Sequence, residues 1–238
     1  MKYLLVSYFV FFLLVSCTNK PSTQANGFDS SQQSEMKNGE IVTKRLDGTI
    51  KTLVTYRDGI KHGTSFLFYE DGKSIQLKIP YVVGARHGIS EKYYRDGKLY
   101  AKTPYEADLL HGVRKTWYSN GNLKAEVPYF KGLTGTGTIE YFVSGKVKTQ
   151  PHLFYVVDNN HLTITLDKPC KNPRIYIGEL LNDQFLATEN LDVFVPDQGE
   201  FRLNLDVYTP SYLAVQDIIC TCETSQGNPL VIRERIVL

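Results

Sequence analysis

The sequence predicts an all-β protein, in which an elongated, single-layer antiparallel meander of hairpin repeats is followed by a small β-sandwich. Three observations support this fold class. A phrase of 24 or 25 residues recurs between about residues 39 and 151. Each copy holds two turn signals, and the runs between the turns are rich in the aromatic and β-branched residues that favour strands. From residue 152 the repeat stops, and short strand-like segments separated by turn residues continue to residue 238.

The first turn signal is an Asp-Gly-like dipeptide, and its glycines are spaced by 24, 25, 24 and 24 residues. Asp-Gly and Asn-Gly between apolar runs predict tight hairpins, in which both turn residues take positive φ. We therefore expect positive φ at both Asn120 and Gly121. The five dipeptides are Asp47-Gly48, Asp71-Gly72, Asp96-Gly97, Asn120-Gly121 and Ser144-Gly145.

The second turn signal is Tyr-x-x-Gly, which begins at Tyr56, Tyr81 and Tyr129. After Tyr105 the glycine is replaced by Asp108, and aspartate tolerates the left-handed conformation better than most residues. We therefore expect this turn to form as well. Nine turns in all predict ten strands in one continuous meander.

Two adjacent aromatic residues precede each Asp-Gly-like turn from the second onwards. These four aromatic dipeptides are Phe68-Tyr69, Tyr93-Tyr94, Trp117-Tyr118 and Tyr141-Phe142. Because neighbouring strand residues point to opposite faces, we expect one ladder of rings on each face of the sheet. Either the rings stack on one another as hydrophobic content, or part of one ladder stays exposed as a docking stripe. For docking, Trp117 is the best candidate, because Trp is enriched among residues that dominate binding energy. The other binding candidates are Tyr93, Tyr94 and Tyr118.

His62, His87 and His111 recur directly before a glycine. Equivalent positions lie two strands apart, about 9.6 Å, whereas zinc ligands lie about 2.0–2.1 Å from one ion. We therefore expect these histidines to pack at turns and to bind no metal. The sequence also lacks a P-loop, a dinucleotide fingerprint, a nucleophile elbow and a His-Glu-x-x-His motif, so we expect neither a cofactor nor enzymatic activity.

The units Tyr-Val-Val-Gly-Ala-Arg-His-Gly (81–88) and Tyr-Tyr-Arg-Asp-Gly-Lys-Leu (93–99) resemble MORN repeats, most closely the bacterial variant often labelled a YwqK-type antitoxin. The resemblance covers about 110 of the 238 residues. It implies a scaffold, a protein-binding module or a lipid-proximal module, and it carries over no catalytic residues. The unit at Gly132–Gly137 lacks the His-Gly pair, which predicts that the array ends there.

The N-terminus predicts export. Lys2 precedes the apolar run Leu4–Val15, which is too short to span a bilayer and is typical of a signal peptide over residues 1–16. Leu14-Val15-Ser16-Cys17 resembles the bacterial lipobox, which implies that Cys17 is lipidated, with palmitate among its acyl chains, and becomes the mature N-terminus. The alternative is an ordinary signal peptide with an incidental cysteine. Residues 17–38 are rich in Ser, Gln, Asn and Thr and predict a flexible tether.

Residues 152–238 predict the sandwich. Leu162–Leu166 alternates, and six or seven short strands fit this length, for which the immunoglobulin-like arrangement is one candidate. Three cysteines lie here. Cys220 and Cys222 share one strand face, so Cys170 can pair with at most one of them. We expect plain buried cysteines, and the sequence leaves open which pair would form a disulfide.

The two folded parts carry opposite charge. Residues 18–151 hold 20 Lys/Arg and 13 Asp/Glu, whereas residues 152–238 hold 6 and 12. The basic array could face anionic lipid head groups, pack against the acidic part, or be simply solvated. We expect no nucleic-acid partner, because the chain is predicted to be exported.

Together these features predict a lipid-anchored protein of the bacterial cell envelope, in the outer membrane if the cell is Gram-negative. Its membrane contact is through Cys17, and its repeat array (39–151) acts as a non-catalytic binding or scaffolding module for a protein partner. Two alternatives stay open. One is an antitoxin or immunity-type protein, which the family label suggests. The other is an enzyme with a composite site between the array and the sandwich (152–238).

Overall fold

A computed structural model describes residues 38–189, 191–195, 200–205 and 216–236. The predicted signal peptide, Cys17 and residues 17–37 of the tether lie outside these ranges, as do the turn signals at 196–199 and 209–210. Met36–Leu238 forms one compact unit, which contains both the array and the sandwich. Within the described ranges, no helix is both long and apolar enough to cross a bilayer.

The array is one antiparallel sheet of thirteen strands, and this confirms the predicted meander. The path along the sheet is β1-β2-β4-β5-β7-β8-β10-β11-β12, and β3, β6, β9 and β13 pair beside it. The tenth predicted strand is reduced to an isolated bridge between Tyr141 and Val147. The strands are β1 (Asn38–Lys44), β2 (Ile50–Arg57), β3 (Ile60–Lys61), β4 (Gly63–Phe68), β5 (Ile75–Val82), β6 (Ala85–Arg86), β7 (Gly88–Tyr93), β8 (Leu99–Glu106), β9 (Leu109–Leu110), β10 (Gly112–Trp117), β11 (Leu123–Phe130), β12 (Leu133–Thr134) and β13 (Ile139–Glu140).

One edge of the array, the tight-turn edge, consists of two-residue turns at the Tyr-x-x-Gly signals. Both central residues have positive φ in every one of them, which identifies type I′ turns. Asp108 has a φ of 68°, so the expected turn without glycine does form. The central pairs are Asp58-Gly59, Val83-Gly84, Ala107-Asp108 and Lys131-Gly132.

The opposite edge, the wide-turn edge, consists of the Asp-Gly-like turns, and here the prediction for Asn120 was wrong. Gly121 has a φ of 91°, whereas Asn120 lies outside the positive-φ region. The Gly121 N–H donates to the Tyr118 carbonyl and the Tyr118 N–H donates to the Asn122 carbonyl, both at 2.9 Å. The loop is therefore a type I turn followed by a left-handed glycine, a three-residue hairpin loop that also favours Asn or Asp before Gly.

Prolines in the middle of the sheet lie where the ladder is already interrupted. Pro80, which has no N–H to donate, lies beside the gap between β6 and β7, and its carbonyl accepts the His87 N–H at 3.1 Å. Pro104 and His111 repeat this arrangement at 3.1 Å. A strand proline is tolerated at such an irregularity. The recurring histidines thus mark the break between a two-residue strand and the longer strand after it.

The second part is a β-sandwich, as predicted. One sheet has the order β14-β15-β18 and the other β17-β16-β19-β20. In immunoglobulin lettering these orders read A-B-E and C′-C-F-G, which is an immunoglobulin-like arrangement. The two sheets enclose one core that contains Leu162, Ile164, Ile175, Ile218 and Cys220. The strands are β14 (Leu153–Asp158), β15 (His161–Leu166), β16 (Lys171–Gly178), β17 (Asp192–Phe194), β18 (Phe201–Asn204), β19 (Gln216–Glu223) and β20 (Pro229–Ile236).

The sandwich covers the end of the array. Gly135 forms a bridge with Phe185, and the Phe130 and Phe185 rings lie 5.3 Å apart. The β19–β20 hairpin packs beside β13, where the Thr138 hydroxyl donates to the Pro229 carbonyl at 3.0 Å. The sandwich therefore meets the array in the region of Gly132–Gly137, where the sequence predicts that the array ends.

A candidate binding surface on the repeat array

The four aromatic residues predicted to bind a partner lie on both faces of the array. Tyr93 and Trp117 follow Glu91 and Lys115 at two-residue spacing and share their face, whereas Tyr94 and Tyr118 are the next residues along. All four side chains are half-buried. Their role in binding therefore stays a prediction.

A chain of tyrosine hydroxyls joins successive repeats along the wide-turn edge. Tyr69 donates to the Tyr93 carbonyl at 2.7 Å, Tyr94 to the Trp117 carbonyl at 2.7 Å, and Tyr118 to the Tyr141 carbonyl at 2.8 Å. In the described part of the chain, no ring-on-ring contact links the four aromatic dipeptides to one another. The expected stacking is thus replaced by hydrogen bonds from a ring hydroxyl to a backbone carbonyl.

Both ends of the tyrosine chain have substitutes. In the first repeat, Arg45 occupies the position of the tyrosine and donates to the Phe68 carbonyl at 2.6 Å. At the far end Phe142 has no hydroxyl to continue the chain, and Gln226 of the sandwich adds a second donor to the last step, with bonds to the Tyr118 hydroxyl at 3.0 Å and the Tyr141 carbonyl at 3.3 Å. The sandwich therefore reinforces the last step of the chain.

One face of the array, the paired-charge face, carries a row of lysines and glutamates that neutralise each other. Glu91 lies 3.4 Å from both Lys78 and Lys102, and Glu126 lies 2.7 Å from Lys115. Burial alone would raise the pKa of Glu91, but hydrogen bonds from Tyr93, Lys102 and Lys78 together lower it. This row is therefore electrostatically satisfied within the sheet.

The opposite face, the cationic face, holds a cavity of about 260 Å³. Arg86, Lys92 and Arg114 reach it, and no carboxylate is among its lining residues. Among the described residues, Lys92 and Arg114 have no carboxylate within 4.0 Å. Small residues form the floor because Ser90 and Ala101 are buried between the longer side chains.

Tyrosine rings hold two of the three cations of this cavity in place. The Arg86 guanidinium lies 4.2 Å from the centre of the Tyr105 ring, and the Lys92 ammonium lies 5.0 Å from that of Tyr100. Cations above aromatic faces are stabilised by the ring quadrupole. Arg86 also donates to Asp108 at 2.8 Å, which lowers the pKa of that carboxyl and raises the pKa of the arginine. The cavity can therefore bind an anionic group next to aromatic surface.

Sequence reasoning missed this cavity because its cations occupy positions that vary between repeats. Arg114 stands where the earlier repeats have Ser65 and Ser90, and Lys92 stands where the others have Leu67 and Thr116. A search based on the glycines and aromatic residues that the repeats share overlooks such positions. Such positions could have been found by looking for a charged residue in one repeat where the neighbouring repeats have an uncharged residue.

The junction between the array and the sandwich contains one buried carboxylate, which matters for the composite-enzyme alternative. Glu140 is 2% exposed and accepts hydrogen bonds from the Thr224 hydroxyl at 2.5 Å and the Asn228 amide at 2.6 Å. Lys148 lies 4.0 Å away. These contacts give Glu140 a role in fastening the sandwich to the array.

His111 packs against the Phe130 ring, with ring centres 5.1 Å apart, and Cys220 lies in the core of the sandwich. The described residues contain no group of three or more His, Cys, Asp or Glu side chains that could hold a metal ion. The three cysteines after Cys17 are free, and Cys220 and Cys222 are buried. Burial and a neighbouring Cys222 thiol raise the pKa of Cys170 to about 12, so its reactive thiolate is scarce at neutral pH.

Comparison with known families supports the resemblance of the repeats. The family model described as a MORN repeat variant matches residues 86–107 and 110–131. None of the curated proteins matches the chain. The matched segments hold most of the cavity lining, including Arg86, Lys92 and Arg114. Repeats of this kind commonly serve as binding or scaffolding modules, and the matched part of the chain is similar to them.

Proposed function

We propose that this protein is a lipid-anchored component of the bacterial cell envelope whose repeat array is a non-catalytic binding module, and that the cavity on the cationic face holds an acidic segment of a partner protein. The observation that carries the proposal is the pair Lys92 and Arg114, two cations that line one cavity without a carboxylate of the described chain beside them.

Charge arrangement supports an anionic ligand. On the paired-charge face each glutamate has a lysine within reach, so a ligand would have to compete with an existing ion pair. On the cationic face the Lys92 ammonium is held by the Tyr100 ring, and Lys92 and Arg114 are available for charge-assisted hydrogen bonds with a carboxylate. The favoured partner therefore presents Asp or Glu side chains, together with apolar atoms that contact Tyr100 and Tyr105.

The role of the cavity in binding is tested by neutralising two adjacent residues whose side chains point to opposite faces of the sheet. Arg114→Gln removes a cation from the cavity, and Lys115→Gln removes one from the neighbouring position on the other face. With the full chain as bait for solubilised envelope proteins, Arg114→Gln should lower recovery of the partner about tenfold, because a charge-assisted hydrogen bond is lost. Lys115→Gln should leave recovery unchanged. Equal losses in both variants, or none in Arg114→Gln, would contradict the cavity as the binding site.

The lipid anchor is supported by the Leu-Val-Ser-Cys boundary at residues 14–17. Metabolic labelling with a palmitate analogue should mark the wild-type protein and should fail on Cys17→Ser. Labelling that is unchanged in Cys17→Ser would exclude lipidation at this residue, and it would leave the cavity proposal standing because the two tests are independent.

A second candidate surface is the docking stripe on the paired-charge face. Ile89 is 54% exposed and Val113 is 44% exposed, and both lie on the same face as Trp117. If Trp117 docks a partner, Trp117→Ala should leave stability nearly unchanged and lower partner recovery. If it is a packing residue, the free energy of unfolding should fall by about 3–5 kcal/mol. Because Trp117 is the chain's one tryptophan, a fluorescence quencher that cannot reach it would exclude the docking role.

A further inference from the structure

Strand β14 forms an unpaired, apolar edge of the sandwich. It pairs with β15, and no other described strand pairs with it. Four consecutive large side chains on it are exposed: Phe154 at 54%, Tyr155 at 37%, Val156 at 63% and Val157 at 46%. Because an edge strand presents free N–H and C=O groups, an apolar edge of this kind is a template for pairing with another strand.

Three other outer strands, β1, β18 and β20, carry the charges that usually prevent such pairing. Strand β1 contains Glu40 and Lys44, and β18 contains Arg202. Strand β20 contains Arg233, Glu234 and Arg235. By contrast, Leu153–Val157 is uncharged, and the first charge on β14 is Asp158 at its end. This edge is therefore left available for a partner strand.

Backbone directions define which residues of β14 would pair. The His152 carbonyl accepts the Asp167 N–H at 3.1 Å, so residues of even number in this strand point their backbone groups towards β15. The backbone groups of Leu153, Tyr155 and Val157 consequently point to the free side. In an antiparallel pair, residues that exchange both hydrogen bonds lie directly opposite one another.

We propose that β14 pairs with β14 of a second copy of this chain, antiparallel and with Tyr155 of both copies on the two-fold axis. This register places Leu153 opposite Val157 in both directions, so all three residues with free backbone groups find partners. It also places His152, which bonds Asp167 of its own chain, opposite Asp158 of the other copy, so both ends of the new ladder are polar. A two-fold axis requires a self-complementary surface, and this strand meets that requirement.

A second feature at the same edge favours an added strand. A cavity of about 370 Å³ lies between β14 and β20, and Leu153, Tyr155 and Ile232 line it together with the charged Arg233 and Glu234. Leu153, Tyr155 and Val157 share the face that meets the core, since they pair with Leu166, Ile164 and Leu162. Paired residues of two strands lie on the same face. The second copy would therefore add an apolar strand beside the seam between the two sheets.

The association is tested with the full chain by measuring its protein mass in solution by light scattering at increasing concentration. The wild type should shift from monomer to dimer, and Val156→Lys should stay monomeric because it introduces a charge at the pairing edge. Val193→Lys is the matched control, because Val193 is also an exposed valine on an outer strand, β17, and this variant should dimerise like the wild type. A monomeric wild type, or a dimer that Val156→Lys does not affect, would overturn the proposal.

The register is tested by disulfide trapping. Phe154 of one copy lies opposite Val156 of the other in a non-hydrogen-bonded pair, where Cα atoms are about 4.5 Å apart. A mixture of Phe154→Cys and Val156→Cys chains should form a disulfide-linked dimer under mild oxidation, and neither variant should do so alone beyond the wild-type level. Cross-linking in one variant alone would show a different register. Pairing of β14 with a strand of another protein, and no self-association, would also contradict the proposal.

Discussion

The two edges of the repeat array join one repeat to the next through different kinds of hydrogen bond. On the tight-turn edge the backbone makes the joint: the N–H groups of Gly84, Asp108 and Gly132 donate to carbonyls of the preceding repeat at 2.8–3.0 Å. On the wide-turn edge side chains make it, through the hydroxyls of Tyr69, Tyr94 and Tyr118. Side-chain joints demand particular residues, whereas backbone joints demand only a particular conformation. The wide-turn edge is accordingly the more regular one in sequence.

The largest expected effect concerns the glycines of the wide turns. A Cβ added to Gly72 would lie 2.8 Å from the Ile50 backbone nitrogen, whereas a Cβ on Gly121 meets nothing within 4 Å. Both glycines have positive φ. Gly72→Ala should therefore lower the free energy of unfolding by about 2–4 kcal/mol through strain and overlap. Gly121→Ala should lower it by about 1 kcal/mol through strain alone.

Chemical denaturation of both variants measures this difference. Equal losses of stability would show that the wide turns do not pack against one another at Gly72.

The tyrosine joints should contribute less. Tyr94→Phe removes the hydroxyl that donates to the Trp117 carbonyl, and the expected loss is about 0.5–1.5 kcal/mol. Tyr100→Phe is the control because the Tyr100 hydroxyl forms no hydrogen bond with another described residue, while its ring contacts that of Tyr94. A Tyr94→Phe variant as stable as Tyr100→Phe would show that the hydroxyl chain does not hold the repeats together.

The tight-turn edge should respond in the opposite direction. Val83 has a φ of 47°, which is an unfavourable backbone conformation for a β-branched residue. Its side chain is 70% exposed, so packing does not offset this strain. Val83→Asn should raise the free energy of unfolding by about 0.5–1 kcal/mol, because Asn tolerates the left-handed conformation. Val113→Asn, an exposed strand position on the same sheet, should bring no gain. If Val83→Asn is destabilising, the turn at 83–84 is not of type I′.

The smallest effect is a pH dependence on the wide-turn edge. Hydrogen bonds from the Ser74 hydroxyl and from the Lys73 and Ser74 N–H groups lower the pKa of Asp71 from 3.8 to about 2. A carboxyl whose pKa is depressed on folding stabilises the fold above its unfolded pKa. That contribution should be lost as the pH falls from about 4 to 2. Asp71→Asn should flatten the decline in stability over this range, and an unchanged slope would contradict it.

The sequence predicted the array because glycine and tyrosine spacing reports local backbone geometry. It could not identify the wide turns correctly, since Asn120-Gly121 suits both a two-residue and a three-residue loop, and the difference lies in the hydrogen bonds of Tyr118. It predicted rings on both faces but not the hydroxyl joints. A bond from Tyr94 to the carbonyl of Trp117 depends on how strands 23 residues apart are offset.

The candidate site was harder to predict than the fold. The lining residues come from five strands. Lys92 and Arg114 line the same cavity only because the cross-strand register places them on the same face, on either side of β8. Periodicity indicates which positions share a face but not which charges lack a counter-ion. Glu91 directly precedes Lys92 in sequence, and Glu126 pairs with Lys115, the residue after Arg114. Both glutamates lie on the other face of the sheet.

In the vocabulary of polymer chemistry, the tyrosine chain has an initiator, a propagating unit and a terminator. Arg45 starts the chain without a preceding repeat, and each tyrosine hydroxyl then bonds the backbone of the next repeat. The chain ends at Phe142, which has no hydroxyl, and Gln226 bonds the last step before it. The two end groups therefore do not depend on how many repeats lie between them. The number of repeats can thus change by insertion or loss of whole 24-residue units, while both end groups, and the sandwich that supplies one of them, stay the same.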